Sequence, residues 1–205
     1  MYKAIILDFD GTIADTEEIY NQAIYQSLKK SGFTYSLSDV KKYTFLDSWQ
    51  LVNKLARKKR STVLRNMISI LNRKVMKNDI FYSGVIKSLN ALSKKYQLFI
   101  VSNSYQQVLN EVNKHYHLKF KEVIGRSKKF QSKATAINYL VNKYNLASKN
   151  VVYVGDSTGD VVLGKKFGFR TIAVSCGWNT KEELLGFKPD ELYADLKEFV
   201  KALTL

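Results

Sequence analysis

The sequence predicts an α/β protein: a doubly wound parallel sheet with an all-helical segment inserted after its first strand. Four short apolar runs, within residues 4–7, 97–101, 150–154 and 170–174, have strand length and read as strands buried on both faces. Amphipathic stretches of helical period separate the later runs, and strand, crossover helix, strand repeated is the pattern of a parallel sheet. Residues 15–78 hold helical stripes and no alternating strand, and a stretch of that length is too long for a loop. The expected division is a core of residues 1–14 and 83–205 and a helical subdomain of residues 15–82.

The elements follow in order. Asp15-Thr16-Glu17-Glu18 reads as a helix start with Asp15 as its cap, Tyr20, Ile24 and Leu28 form a stripe, and Gly32 is the stop. A short helix around Ser38–Val40 follows, then one carrying Trp49, Val52 and Leu55–Ala56. A fourth carries Leu64, Met67–Ile68, Leu71 and Val75. Beyond residue 83 the reading is helix 84–95, strand 97–101, helix 105–115, strand 120–124 and helix 132–144. Strand 150–154, a helix to Phe167, strand 170–174 and short helices near 180–186 and 195–203 complete the chain.

With 45% hydrophobic residues in 205, the chain can bury a full core. Cys176 is the single cysteine, which excludes an internal disulfide and a thiolate metal cluster and suits a reducing compartment. No signal pattern opens the chain and no apolar run reaches the roughly 18 residues of a membrane span, so the expectation is a cytoplasmic protein with no membrane partner. The formal charge is +15, spread along the chain, and its densest cluster is only Arg57-Lys58-Lys59-Arg60. That pattern reads as a solvated basic surface that attracts anionic metabolites rather than as a nucleic-acid site.

Three apolar strands end in polar residues: Asp8 and Asp10, then Ser102-Asn103, then Gly155-Asp156 with Asp160 beyond. Right-handed crossovers bring these ends to one sheet edge, where open α/β sheets bind ligands. Asp8 and Asp10, two apart on an extended chain, repel each other unless a cation or a proton lies between them. Ser132-Lys133 opens a helix between the second and third of these strands and adds one ammonium. The set can hold a hard divalent cation through oxygens and a phosphoryl group through a cation, a hydroxyl and backbone donors.

Asp8-Phe9-Asp10-Gly11-Thr12, Ser102, Lys133, and Gly155-Asp156 with Asp160 resemble, in order and spacing, the four motifs of the haloacid dehalogenase superfamily. The helical insertion resembles its C1-type cap, and the core would then be Rossmann-like. The resemblance implies that Asp8 is a nucleophile forming an aspartyl phosphate and that Asp10 is the general acid and base. It implies Mg²⁺ held by Asp8, the Asp10 main-chain carbonyl and Asp156, with Asp160 a ligand or a neighbour of the ligands. Ser102 and Lys133 would bind phosphoryl oxygens, with Asn103 assisting. The second aspartate, Asp10, argues for phosphoryl chemistry over dehalogenation. Residues 173–178 and 182–184 look similar to phosphoglycolate phosphatase-like members. Ser83 and Ala134 stand where the family often has proline. The segment 43–49 is expected to face the substrate, with Phe45 and Asp47 as specificity candidates, although its aromatics read first as cap core. The resulting expectation is a Mg²⁺-dependent phosphatase of a small phosphorylated metabolite. The rivals are a hexose-phosphate mutase using the same aspartates and a nucleic-acid binder using the basic surface.

Overall fold

The computed structural model describes residues 2–43 and 47–203. Its elements are β1 (Ala4–Leu7), α1 (Glu17–Lys30), α2 (Leu37–Lys41), α3 (Ser48–Ala56), α4 (Arg60–Val75), α5 (Val85–Leu92), β2 (Gln97–Tyr105) and α6 (Gln106–Tyr116). They continue as β3 (Glu122–Arg126), α7 (Lys133–Tyr144), β4 (Val151–Gly155), α8 (Thr158–Lys166), β5 (Arg170–Val174), α9 (Lys181–Gly186), β6 (Glu191–Tyr193) and α10 (Leu196–Leu203). All six strands are parallel, in the order β3-β2-β1-β4-β5-β6. The order reverses at β1, so the ligand-binding crevice expected of such a sheet lies beyond its carboxyl end. Leu7 pairs with Ile100 on one side and Val154 on the other, which brings the residues that follow each of them to that crevice together.

β1 is buried throughout, and its alternation sorts side chains into two layers. Ile5 and Leu7 join the apolar cluster that takes in α5, α6 and α10, whereas Ala4 and Ile6 join the cluster under α7. The first cluster continues without a break into α1, α3 and α4 through Leu28, Val52, Met67 and Leu71. The inserted helices therefore share apolar packing with the sheet. The two connecting segments run side by side: Ala14 bridges Phe81 antiparallel, Asp15 N–H donates to Ile80 O at 2.7 Å, and Tyr82 N–H to Ile13 O at 3.3 Å. Phe81 meets Tyr116 edge-on at 4.7 Å between ring centres, which anchors this seam on α6.

Several local expectations are corrected. β6 was not foreseen: three residues without an apolar pattern become a strand because β5 offers them an edge, supported by an ion pair between Arg170 and Glu191. β2 runs on to Tyr105 instead of ending at Val101, and β3 starts at Glu122. Asp15 does not cap α1. Its bond to Ile80 keeps it in the paired connection, and Thr16 takes the cap position without capping through its side chain. Phe45 lies outside the described residues. No described helix is long and apolar enough to cross a membrane.

Candidate active site

Asp8 follows β1 directly and is 6% exposed. Its Oδ1 accepts the Phe9 N–H at 2.7 Å, and its Oδ2 accepts from the Lys133 ammonium at 2.7 Å. Lys133 is the first residue of α7, a helix fixed by a reciprocal cap in which the Ser132 hydroxyl accepts from Thr135 N–H. The same ammonium reaches Asp160 Oδ1 at 2.6 Å and so ties two carboxylates together. Asp160 sits in the first turn of α8. It also accepts from the Tyr153 hydroxyl at 2.9 Å and the Ser157 hydroxyl at 2.5 Å. A Cβ at Gly155 would stand 2.4 Å from Asp160 Cβ, so glycine is required where β4 passes this side chain.

Asp156 accepts from the Thr12 hydroxyl at 2.8 Å and the Trp178 N–H at 2.9 Å. Gly11 lies at φ +74°, and a Cβ there would come within 2.2 Å of Asp156 Oδ2. Oxygens of Asp8, Asp156 and Asp160 lie within 4.8 Å of one another, all three residues being buried. Burial raises the Asp8 carboxyl well above its ordinary value; Lys133 opposes the rise, and the charges of Asp160, Asp156 and Asp10 add to it. Burial, with Asp160 next, pushes Asp156 up to about 7. Burial also acts to raise Asp160, but Lys133 outweighs it and holds that carboxyl below its usual range. For Lys133, burial acts to lower the value, and the charges of Asp160 and Asp8 more than reverse it. One ammonium against three desolvated carboxylates leaves negative charge unbalanced. An oxygen-seeking divalent cation such as Mg²⁺ fits that donor set.

The Asp10 side chain lies outside this cluster. Its Oδ1 accepts from the Thr16 hydroxyl at 2.7 Å, and its Oδ2 from Ser102 at 3.0 Å and Ser104 at 2.5 Å. The Ser104 oxygen in turn lies 2.5 Å from the Tyr20 hydroxyl of α1. Ser104 gives its single proton to Asp10, so Tyr20 is the donor in that pair.

A cavity of about 550 Å³ opens above these groups, with Asp8, Asp10, Ser102, Asn103, Lys133 and Asp156 on its sheet side. All six were singled out in the sequence. Asp160 lies beneath the lining, 1% exposed. Asp47 also lines the cavity, but both its oxygens are engaged. Oδ1 caps α3 by accepting the Gln50 N–H at 2.9 Å, and Oδ2 pairs with Arg126 Nη2 at 2.8 Å. The Asn103 side-chain oxygen Oδ1 stands 3.5 Å from the same guanidinium. Sequence reasoning missed Thr12, Thr16, Tyr20, Ser104 and Tyr153. Ser104 had a visible signal, since it lies two residues past Ser102 on an extended strand and faces the same way. Tyr20 was read only as one member of an apolar stripe.

The geometry agrees with what comparison finds. The sequence profile of the haloacid dehalogenase-like hydrolases matches residues 5–174. The chain is 26% identical over 209 residues to the phosphoglycolate phosphatase of Synechococcus elongatus, covering 98% of this chain and 97% of that protein. It is 22% identical over 214 residues to pyrophosphatase PpaX of Oceanobacillus iheyensis, covering 97% and 95%. Among solved structures, CbbY from Rhodobacter sphaeroides in complex with phosphate shares the fold at a TM-score of 0.84 with 16% identity and 100% of each chain covered. With its four polar strand-end and helix-start positions converging on one cavity, this chain belongs to the haloacid dehalogenase-like hydrolase family.

Proposed function

We propose that the chain is a Mg²⁺-dependent phosphatase of a small phosphorylated metabolite, acting through an aspartyl phosphate on Asp8. The observation that carries this reading is the pairing of Asp8, bonded to Lys133 at 2.7 Å at the cavity floor, with Asp10 two residues on, gripped by three hydroxyls. Relatives named phosphoglycolate phosphatase and pyrophosphatase, matched over nearly their whole lengths, support it.

In the first half-reaction an Asp8 oxygen attacks phosphorus and the bond to the leaving oxygen breaks, while Asp10 gives that oxygen a proton. In the second, water attacks phosphorus, Asp10 takes its proton, and the acyl phosphate bond breaks to return free Asp8 and inorganic phosphate. Lys133, with Ser102 and Asn103 beside it, binds the oxygens of the phosphoryl group. Asp160 holds Lys133 from below. Mg²⁺, held by Asp8, Asp156 and the Asp10 main chain, would offset repulsion between the anionic nucleophile and the phosphoryl oxygens. Residues 15–82 serve as a cap that excludes water and selects the leaving group.

The test is phosphate release from an activated aryl phosphate and a panel of metabolite esters, with and without Mg²⁺. Stoichiometric release that needs Mg²⁺ supports the reading. Isomer production with phosphate retained on the enzyme would make it a mutase, and no turnover of any ester would end the proposal.

A further inference from the structure

The cavity above Asp8 differs sharply in charge from the rest of the molecule. The chain carries +15 overall, yet Lys133 is the one Lys or Arg on the cavity lining among the described residues. Lys133 is engaged by Asp8 and Asp160 at the phosphoryl end. The three undescribed residues between Tyr43 and Asp47 are Thr44, Phe45 and Leu46, none of which carries charge. Arg126 is not on the lining; its guanidinium pairs with Asp47 at 2.8 Å and lies 3.5 Å from the side-chain oxygen of Asn103.

Away from Asp8 and Lys133, the cavity lining also holds Glu17, Asn21 and Glu183. Glu17 and Asn21 are four apart on α1 and so share one helix face. Asn21 is 4% exposed, yet its side-chain amide makes no hydrogen bond to the described residues. A nearly buried amide that lines a cavity without a partner is set to bond what enters, in place of water. Glu17 likewise has no ion pair or hydrogen bond through its carboxylate among the described residues. The Asn21 amide and the Glu17 carboxylate suit hydroxyl and ammonium donors; Glu183 adds negative charge, although its Oε2 already accepts the Thr180 N–H at 2.8 Å and the Asn179 amide at 2.9 Å. A second anion on the substrate would face like charges there with no cation to receive it.

We infer that this cavity selects phosphate esters whose leaving group is an uncharged polyol or an amine, that it disfavours esters carrying a second anion, and that Asn21 and Glu17 make the selection. The inference rests on the phosphatase reading and narrows it. It also separates this chain from the relatives named for phosphoglycolate and pyrophosphate, whose leaving groups are themselves anions.

The experiment compares kcat/KM of the Mg²⁺-supplied full chain on glycerol phosphate, phosphoethanolamine, phosphoglycolate and p-nitrophenyl phosphate. Glycerol phosphate and phosphoethanolamine are expected to exceed phosphoglycolate by about tenfold or more. Glu17→Gln should narrow that gap by roughly threefold to tenfold, less so as salt is raised. Asn21→Ala should lower glycerol phosphate turnover more than p-nitrophenyl phosphate turnover. Because Asn21 is buried and truncating it can disturb folding, the exposed Glu17→Gln variant alone decides the charge argument. Phosphoglycolate turned over as well as the uncharged ester, or equal falls on all four esters in both variants, overturns the inference while leaving the phosphatase reading intact. No phosphate from any of the four overturns both.

Discussion

On the sheet side of the cavity every carboxylate of the cluster accepts at least two hydrogen bonds, whereas on the inserted side Asn21 and Glu17 of α1 accept none through their side chains from the described residues. The difference follows from what each wall has to do. Transfer at phosphorus needs a nucleophile, a proton carrier and a cation site at fixed positions, and buried charges hold position only when their lone pairs are satisfied. Recognition of an incoming group needs donors and acceptors that are still free. The sheet wall is therefore a closed network, while the inserted wall, whose Asp47 and Tyr20 are engaged, keeps open groups at Asn21 and Glu17.

The largest effect is expected from the closed wall. Asp8→Asn should lower turnover by about 10⁴-fold or more, because the amide is nearly isosteric but a poor nucleophile. Circular dichroism and phosphate release on one sample check it, and substantial residual turnover would remove Asp8 from the chemistry. Asp10→Asn should cost about 10²- to 10⁴-fold on an alkyl phosphate and much less in the first step on an activated aryl phosphate, whose leaving group needs no proton. Equal losses on both esters would take the acid role from Asp10.

Next comes the cation. Saturating Mg²⁺ should raise the melting temperature, with a gain of about 2–3 kcal/mol at a hundredfold excess over Kd, and Asp156→Asn should abolish that rise. Excess chelator should remove activity. A Mg²⁺-independent melting curve in wild type would count against Asp8, Asp156 and Asp160 as a cation site.

Smaller effects belong to the inserted helices. Asp47→Ala removes both the cap of α3 and the partly buried bond to Arg126, and should destabilise by about 1–2 kcal/mol. Asp47→Asn keeps the capping oxygen and should recover most of the loss in a urea titration. If Asn does no better than Ala, the ion pair and not the cap holds α3. At the bottom of the scale, Lys41→Ala breaks only the exposed pair with Glu18 and should cost under about 1 kcal/mol.

The same contrast explains what the sequence disclosed. The order of strands and helices, and six cavity-lining residues on the sheet side, were legible because apolar strands end abruptly in polar residues and parallel topology gathers such ends. Asp160 was legible too, as a carboxylate one turn beyond Gly155-Asp156. The role of Thr16 was hidden, since a threonine at a helix start reads as a cap whichever way its hydroxyl turns. Tyr20 was hidden because one aromatic can fill a stripe with its ring and serve a site with its hydroxyl. β6 has no pattern of its own and exists by pairing. Asn21 and Glu17 carry no local signal, because their importance depends on which groups the fold leaves without partners.

The hydroxyls around Asp10 have a mechanical consequence. Thr16, at the start of α1, holds one carboxylate oxygen directly, and Tyr20, one turn later, holds the other through Ser104. The inserted helices and the residue proposed to carry the proton are thereby interlocked. If α1 swings away from the sheet edge, both links must stretch or break, and Asp10 loses the grip that aims it. Seating of the helices over a substrate and readiness to move a proton then become one event, so an ester too bulky to let α1 settle would bind above Asp8 and stay intact.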